Sequence, residues 1–168
     1  EYIPGRSYAF RFPIETADVL KSANFHVISV ANNHSNDFGT IGFSDTQRYL
    51  SQVSIDSTGI TGTYVVKKIK GLRVGVIALA YYPAFNNVLD IDSVSKLVQQ
   101  VRKNCDVLVL FYQMGGEGDS YALLSNQDAI FLGERRGNAR VFADAMVKAG
   151  ATALIGHGPH LLRASECM

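Results

Sequence analysis

Apolar residues recur every three or four positions in four segments of this chain. Such spacing places the apolar side chains on one face of a helix, where they can pack against a sheet. The last of these segments ends at Gly150, a residue type that commonly terminates helices. The predicted helices cover residues 14–23, a segment beginning near Gly42, residues 91–103 and a long amphipathic segment from Ala139 to Gly150.

Shorter segments between these helices are apolar or alternate in polarity and have the length of strands. They are residues 25–31, 64–69, 74–80, 107–112 and 153–155, and residues 161–164 are expected to begin a further strand. Alternating helices and strands are typical of an α/β fold with helices on the faces of a sheet. Because no repeat or linker interrupts this order, the sequence predicts a single domain.

Composition and charge narrow the classes of function. The 168 residues include 16 basic and 15 acidic side chains, which leave a net charge of +1. This balance argues against a nucleic-acid-binding protein, which needs a basic surface. No apolar run of about 18 residues is present, so no membrane span is expected within this chain. The two cysteines, Cys105 and Cys167, form neither a disulfide framework nor a metal-binding spacing.

Three predicted strands are followed by polar loops, which are residues 32–37, 113–117 and 157–160. If the strands are parallel, these loops lie at one rim of the sheet, where α/β proteins bind ligands. The loops contain His34, His157 and His160, whereas His26 lies within a predicted strand and is interpreted as structural. Histidine, amide and carboxylate groups at one rim are typical ligands for Zn, Mn or Fe.

The spacing of His157 and His160 favours a metal site. Pro159 and the neighbouring glycines exclude a helix, so both imidazoles follow a strand on a stiff turn. The alternative is a polar loop with two solvated histidines. We prefer the metal interpretation because Asn33 and His34 occupy a second such loop.

Neighbouring residues such as Asn33 and His34 do not easily serve the same metal ion. A natural division assigns the Asn33 oxygen to the metal and His34 to the substrate, as a proton donor or a stabiliser of phosphoryl charge. Turn formation by asparagine is the structural alternative. For Asp37, orienting the His34 ring and capping a helix that begins near Gly39 are equally good interpretations.

Two further groups have less specific sequence signals. Asn32 and Glu117 are candidate substrate-binding residues, and Glu117 has a metal ligand, a general base and a solvated loop charge as alternatives. Arg135 and Arg136, with Arg140, could attract an anionic substrate, but the start of a solvated helix is the favoured interpretation.

The three loops together resemble the signatures of the CapA family of capsule-synthesis proteins, which are associated with poly-γ-glutamate. The matching segments are LKSANFHVISVANNHSNDFGTIGF, VLVLFYQMGGEGD and AGATALIGHGPHLLRASE, in the order and spacing of the family. The resemblance covers nearly the whole chain. It implies an α/β fold similar to the αββα sandwich of calcineurin-like metallophosphoesterases, incomplete at both ends.

The resemblance also implies roles for individual residues. Asn33 matches a metal-ligating asparagine, His34 matches a substrate-facing histidine, and His157 and His160 match late histidine ligands of divalent metal ions. Gln113 stands where the family has a histidine, and its oxygen is a poorer ligand than imidazole. This difference predicts a weakened metal position and reduced or lost catalysis.

The function implied by the resemblance is capsule-polymer synthesis or export, with a metal-dependent hydrolase-type site. The alternative is a non-catalytic polymer-binding or export component with a degenerate metal site. Implied partners are an anionic polymer or phosphoester substrate and other capsule-synthesis membrane proteins, at a bacterial cell surface or a membrane-anchored extracellular location. The 168 residues are expected to form a partial domain, without the family's first strand and C-terminal part, that does not complete a dinuclear metal centre by itself.

Overall fold

A computed structural model describes residues 3, 8–123, 126–163 and 165–167 and shows a mixed α/β protein. The helices in this part of the chain are α1 (Thr16–Ser22), α2 (Gly39–Gln52), α3 (Ile91–Arg102) and α4 (Ala139–Ala149), with a short 3₁₀ helix at Asp119–Tyr121. The strands are β1 (Val27–Ser29), β2 (Asp56–Thr58), β3 (Val65–Ile69), β4 (Leu72–Ala80), β5 (Val107–Gln113), β6 (Ala129–Phe131), β7 (Glu134–Gly137) and β8 (Ala153–His157).

The main sheet has the strand order β3-β4-β5-β8. Strands β4, β5 and β8 are parallel, and β3 pairs with β4 in the antiparallel direction. In this register Ala80 lies opposite Gln113, which in turn lies opposite His157. The carboxyl ends of the three parallel strands therefore reach the same level, and the chain leaves all three at one rim.

Two smaller sheets flank the main one. Strands β1 and β2 form a parallel pair, and β6 and β7 form an antiparallel hairpin. The end of β1 approaches the chain after β2 closely, because a Cβ atom at Gly59 would lie 2.7 Å from the backbone nitrogen of Ala31. Ala31 is fully buried and packs with Ala78, Ala80 and Phe85, so small side chains bring the loop after β1 close to the main sheet.

Helices α3 and α4 cover one face of the main sheet and form the principal core with it. Phe142 and Met146 of α4 are fully buried with Val98 of α3 and Leu110 of β5. Burying an apolar side chain of this size contributes about 1.5–3 kcal/mol. The principal core therefore holds β5 in place behind the rim.

The sequence predicted the long helices and core strands closely, with several differences. Gln113 is the last residue of β5 rather than the first of a loop, and helix α2 begins at Gly39, as expected for the Asp37 cap, rather than near Gly42. Residues 134–137 form a strand rather than a helix start, and β2 and β6 were not expected. Residues 161–163 do not form the expected strand, and Ala164 lies outside the described residues.

None of the helices described for this chain is long and apolar enough to cross a bilayer.

Candidate functional site

Two hydrogen bonds join the loop after β1 to the end of β5. The Asn33 backbone N–H donates to Gln113 Oε1 at 2.9 Å, and Gln113 Nε2 donates to Asn33 Oδ1 at 2.8 Å. The side chain of Gln113 is almost fully buried. The sequence placed both residues among the metal ligands, and the structure brings them together. The Gln113 oxygen already accepts a hydrogen bond from the Asn33 backbone N–H, and its nitrogen donates to the Asn33 side chain. In this structure Gln113 therefore positions the Asn33 loop.

His34 and Asp37 form the second feature of this loop. His34 Nδ1 lies 2.9 Å from Asp37 Oδ2, and the Asp37 side chain is 1% exposed whereas that of His34 is 37% exposed. The sequence allowed Asp37 either to orient the His34 ring or to cap helix α2, and the structure shows the contact with the His34 ring. The residue before helix α2, Phe38, makes no side-chain capping hydrogen bond.

The segment before helix α1 helps to hold this pair. The Phe10 backbone N–H donates to Asp37 Oδ2 at 2.9 Å, and the Phe10 ring meets the His34 imidazole edge to face at 4.6 Å. If the Asp37 side chain is a carboxylate, its Oδ2 accepts both from the Phe10 amide and from His34 Nδ1–H. In that tautomer His34 Nε2 is the ring nitrogen that does not contact this carboxylate.

Asn32 has a structural role in the same loop. Its Oδ1 accepts a hydrogen bond from the His34 backbone N–H at 2.9 Å, which is the turn-forming pattern of asparagine. A groove of about 790 Å³ runs beside this loop, between helices α1 and α2. Asn32 and His34 line one part of it, together with apolar side chains that include Phe10, Ile28 and Phe43. A ligand in this groove can reach both polar residues.

The two histidines of the third loop have different surroundings. His157 ends β8 opposite Gln113, and burial lowers the pKa of its imidazole. His157 Nε2 is buried and has no hydrogen-bond partner among the residues the structure describes. His160, by contrast, has a side chain that is 92% exposed.

Glu117 connects the second and third loops. Its Oε2 accepts a hydrogen bond from the His160 backbone N–H at 2.7 Å, and its Oε1 lies 3.2 Å from His160 Nδ1. The side chain is 15% exposed, so Glu117 is not a solvated loop charge. This carboxylate orients the His160 ring, a role that the sequence alternatives did not include.

Arg136 is buried behind Glu117. Its Nη1 lies 3.6 Å from Glu117 Oε1, and its Nη2 donates to Glu134 Oε2 at 3.0 Å. The guanidinium also contacts the rings of Tyr81 and Phe131, at 5.3 and 4.9 Å from their centroids. Only 9% of the residue is exposed, so the expected solvated helix start is wrong for Arg136. The neighbouring Arg135 is exposed and paired with Asp128.

Two tyrosines complete this network and were missed in the sequence. Tyr81 and Tyr82 follow the end of β4 and both donate to Glu134, at 3.3 and 3.1 Å. Burial raises the pKa of each phenol, most strongly that of Tyr82, so both remain protonated donors. The sequence did contain a signal for these tyrosines. They follow the carboxyl end of a core strand, as do the other residues of the rim.

A divalent metal ion would need several of these groups around one point. The unpartnered His157 Nε2 fits a ligand position, and its strand neighbour Gln113 holds the Asn33 oxygen nearby. No cluster of three His, Cys, Asp or Glu side chains suited to a metal ion occurs within the described ranges. The rim thus fits part of a metal site, and metal binding stays a prediction.

Comparison with known proteins identifies the family. A sequence model of the bacterial capsule synthesis protein PGA_cap matches residues 1–168. The capsule biosynthesis protein CapA of Bacillus anthracis is 28% identical over 172 residues, covering 90% of this chain and 39% of that protein. The PGA biosynthesis protein CapA of Bacillus subtilis (strain 168) is 27% identical over 169 residues, covering 90% of this chain and 41% of that protein.

This chain spans about two-fifths of the length of these relatives. The family expected from the loop motifs is confirmed, because the match extends over the whole chain. The chain belongs to the bacterial capsule synthesis protein family PGA_cap.

Proposed function

We propose that this chain carries the hydrolase-type site of a protein that acts in the synthesis or export of capsule polymer, with His34 as the proton donor. The names of the two relatives support the capsule role. The observation that carries the site is the hydrogen bond between His34 Nδ1 and the buried carboxylate of Asp37. A carboxylate in this position fixes the tautomer and orientation of a catalytic imidazole.

The proposed chemistry begins with the His34 ring. With Nδ1–H donated to Asp37, Nε2 faces the substrate and can hold the proton that the leaving atom needs, which is an oxygen in a phosphoester and a nitrogen in the amide bond of poly-γ-glutamate. Phe10 packs against the ring and restricts its rotation. The loop itself is fixed by the paired hydrogen bonds between Asn33 and Gln113, so the imidazole is held before the substrate arrives.

The proposed ligands of a divalent Mn, Zn or Fe ion are Asn33, His157 and His160. Gln113 acts either as a weak oxygen donor to the ion or as the residue that positions Asn33. When bound, such an ion would polarise the scissile bond as a Lewis acid. The buried, unpartnered Nε2 atom of His157 supports this assignment. Since His160 Nδ1 lies beside Glu117 Oε1, the other ring nitrogen, Nε2, is the one proposed to contribute a ligand.

The wider setting is also a proposal. An αββα sandwich of the metallophosphoesterase type is supported by the β1–β2 sheet, which is separate from the mixed main sheet, and by the helices on the main sheet. The relatives' names, which refer to capsule and PGA biosynthesis, support an anionic poly-γ-glutamate substrate and a location at the bacterial cell envelope. A phosphoester substrate and capsule-synthesis membrane proteins as partners are proposed from the resemblance of the loops alone.

The test uses the full-length protein with His34→Ala and the matched variant His26→Ala. His26 is exposed and lies outside the rim, so its replacement controls for the loss of a histidine. Hydrolysis of poly-γ-glutamate and of a chromogenic phosphodiester is measured. We expect His34→Ala to lower kcat by roughly 10²–10⁴-fold, the usual contribution of a general acid, and His26→Ala to leave it unchanged. Equal rates in both variants would refute the assignment of His34.

A second candidate function is non-catalytic polymer binding at a degenerate site. It is favoured by the carboxamide of Gln113, whose oxygen and nitrogen are both engaged with Asn33. Turnover and metal content of the wild-type protein separate the two candidates. Turnover with bound metal supports the hydrolase-type site, whereas polymer binding without turnover or metal supports the second candidate.

A further inference from the structure

Arg163 lies after β8 and packs against the loop that follows β5. Its Nε donates to the carbonyl oxygen of Tyr121 at 3.0 Å, and its Nη2 donates to that of Gly116 at 3.1 Å. A Cβ atom at Gly115 would lie 2.8 Å from Nη1, and Gly115 has a φ of +98°. Glycine at this position therefore allows the guanidinium to approach the loop, and two hydrogen bonds fix its orientation.

No carboxylate in the described part of the chain compensates the charge of this guanidinium. Both of its acceptors are neutral backbone carbonyls, and within the described residues no carboxylate lies at ion-pair distance from Arg163. The other arginines near this rim differ, because Arg136 pairs with Glu117 and Glu134, and Arg140 pairs with Asp144 and Glu166. An arginine side chain remains charged at any physiological pH. Arg163 thus adds a net positive charge to the rim.

The position of this charge relates it to the candidate site. Arg163 binds the carbonyl oxygen of Gly116, and the next residue, Glu117, binds the backbone and ring of His160. A single short loop therefore contacts both the Arg163 guanidinium and the His160 imidazole. Arg163 is half-buried, which lowers screening by water while leaving access for a ligand.

We propose that Arg163 binds a carboxylate of the anionic polymer and so holds the polymer chain against the rim. This inference rests on the proposed function, which supplies the polymer. Nη1 carries two N–H groups with no hydrogen-bond partner in the described part of the chain, and the planar guanidinium matches the two oxygens of a carboxylate. The two carbonyl contacts orient the group in advance, which reduces the entropy lost on binding.

The test measures binding of a fluorescent oligo-γ-glutamate to the full-length protein by anisotropy. We expect Arg163→Gln to weaken binding about tenfold, the effect of losing one charge-assisted hydrogen-bonded contact. Arg163→Lys restores part of the affinity, because it keeps the charge but not the planar fork. The matched control is Arg135→Gln, which removes an exposed arginine that is already paired with Asp128 and leaves binding unchanged.

Competition distinguishes a carboxylate ligand from a phosphate ligand. Glutarate should displace the labelled oligomer more effectively than inorganic phosphate, and this difference should disappear in Arg163→Gln. Stronger displacement by phosphate would overturn the carboxylate assignment.

Equal affinity of the wild-type protein and Arg163→Gln overturns the inference and leaves the proposed function intact. Absence of oligomer binding by the wild-type protein overturns the inference together with the poly-γ-glutamate substrate of the proposed function.

Discussion

At the scale of single residues, Gln113 shows how one side chain can organise a site. It ends a core strand, is buried, and binds both the backbone and the side chain of Asn33. The sequence located Gln113 and Asn33 as candidates by their place after apolar strands. It could not show their pairing, because the two residues are 80 positions apart and an amide can serve equally as ligand, donor or acceptor.

Gln113→Leu should destabilise the protein by about 1–3 kcal/mol, because it removes two partly buried hydrogen bonds and leaves polar groups of the Asn33 loop poorly solvated. Urea unfolding measures the change. Gln99→Leu is the matched control, since Gln99 is exposed on helix α3, and there we expect a change within about 0.5 kcal/mol. Equal effects of the two substitutions would show that the pairing contributes nothing to stability.

Burial of a charged residue was the second feature that sequence did not reveal. Arg136 and Arg135 are neighbours of the same type, yet one is enclosed by two aromatic rings and two carboxylates while the other is exposed. Their difference depends on the alternation of side chains along β7, which was not predicted as a strand. Because strand β7 was not predicted, the burial of Arg136 was not predicted either.

At the scale of elements, prediction succeeded where the apolar pattern was long. Helices α3 and α4 and strands β4 and β5 have continuous apolar faces, and their predicted bounds agree with the structure within a few residues. Strands β2, β6 and β7 have three or four residues of mixed polarity, so their pairing depends on neighbours that the local sequence does not contain.

Helix α4 has both of its ends specified locally. The Asn138 side chain accepts hydrogen bonds from the backbone N–H groups of Arg140 and Val141, both at 3.1 Å, and Gly150 ends the helix with a φ of +112°. These are standard cap interactions for helix termini. The helix can therefore present Phe142 and Met146 to the core at a fixed register.

We expect Asn138→Ala to lower the free energy of unfolding by about 0.5–2 kcal/mol, since two backbone N–H groups lose their acceptor. Thermal or urea unfolding measures this loss. Asn104→Ala is the control, because Asn104 is exposed just beyond helix α3 and forms no described side-chain hydrogen bond. An unchanged stability in Asn138→Ala would mean that tertiary packing alone determines where α4 begins.

At the scale of the whole molecule, stability and the candidate site are coupled through the main sheet. His157 ends β8 within this sheet, and its burial lowers the pKa of the imidazole below the ordinary value of 6.5. The folded protein therefore favours the neutral ring, whereas the unfolded chain takes up a proton more readily. As the pH falls through 6.5, protonation of the unfolded chain draws the equilibrium toward unfolding.

The stability of the wild-type protein should accordingly fall more steeply between pH 7.5 and pH 5.5 than that of His157→Gln. Urea midpoints at the two pH values measure how steeply stability changes with pH. The carboxylates of the protein contribute equally to wild type and variant, so the difference between the two slopes reports on His157. His26→Gln, which replaces an exposed histidine, should keep the slope of the wild-type protein. A steeper slope in His157→Gln would contradict the neutral, buried state of this residue.

The pairing of Asn33 with Gln113 has a consequence for the order of folding. Local hydrogen bonds of helices can form early, but these two bonds close a loop of 80 residues and need the end of β5 already in place. The His34 loop can therefore reach its native geometry only after the main sheet has assembled. During biosynthesis, a chain with a misfolded sheet would not form this loop, so the chemistry proposed for the rim would become available only in fully folded molecules.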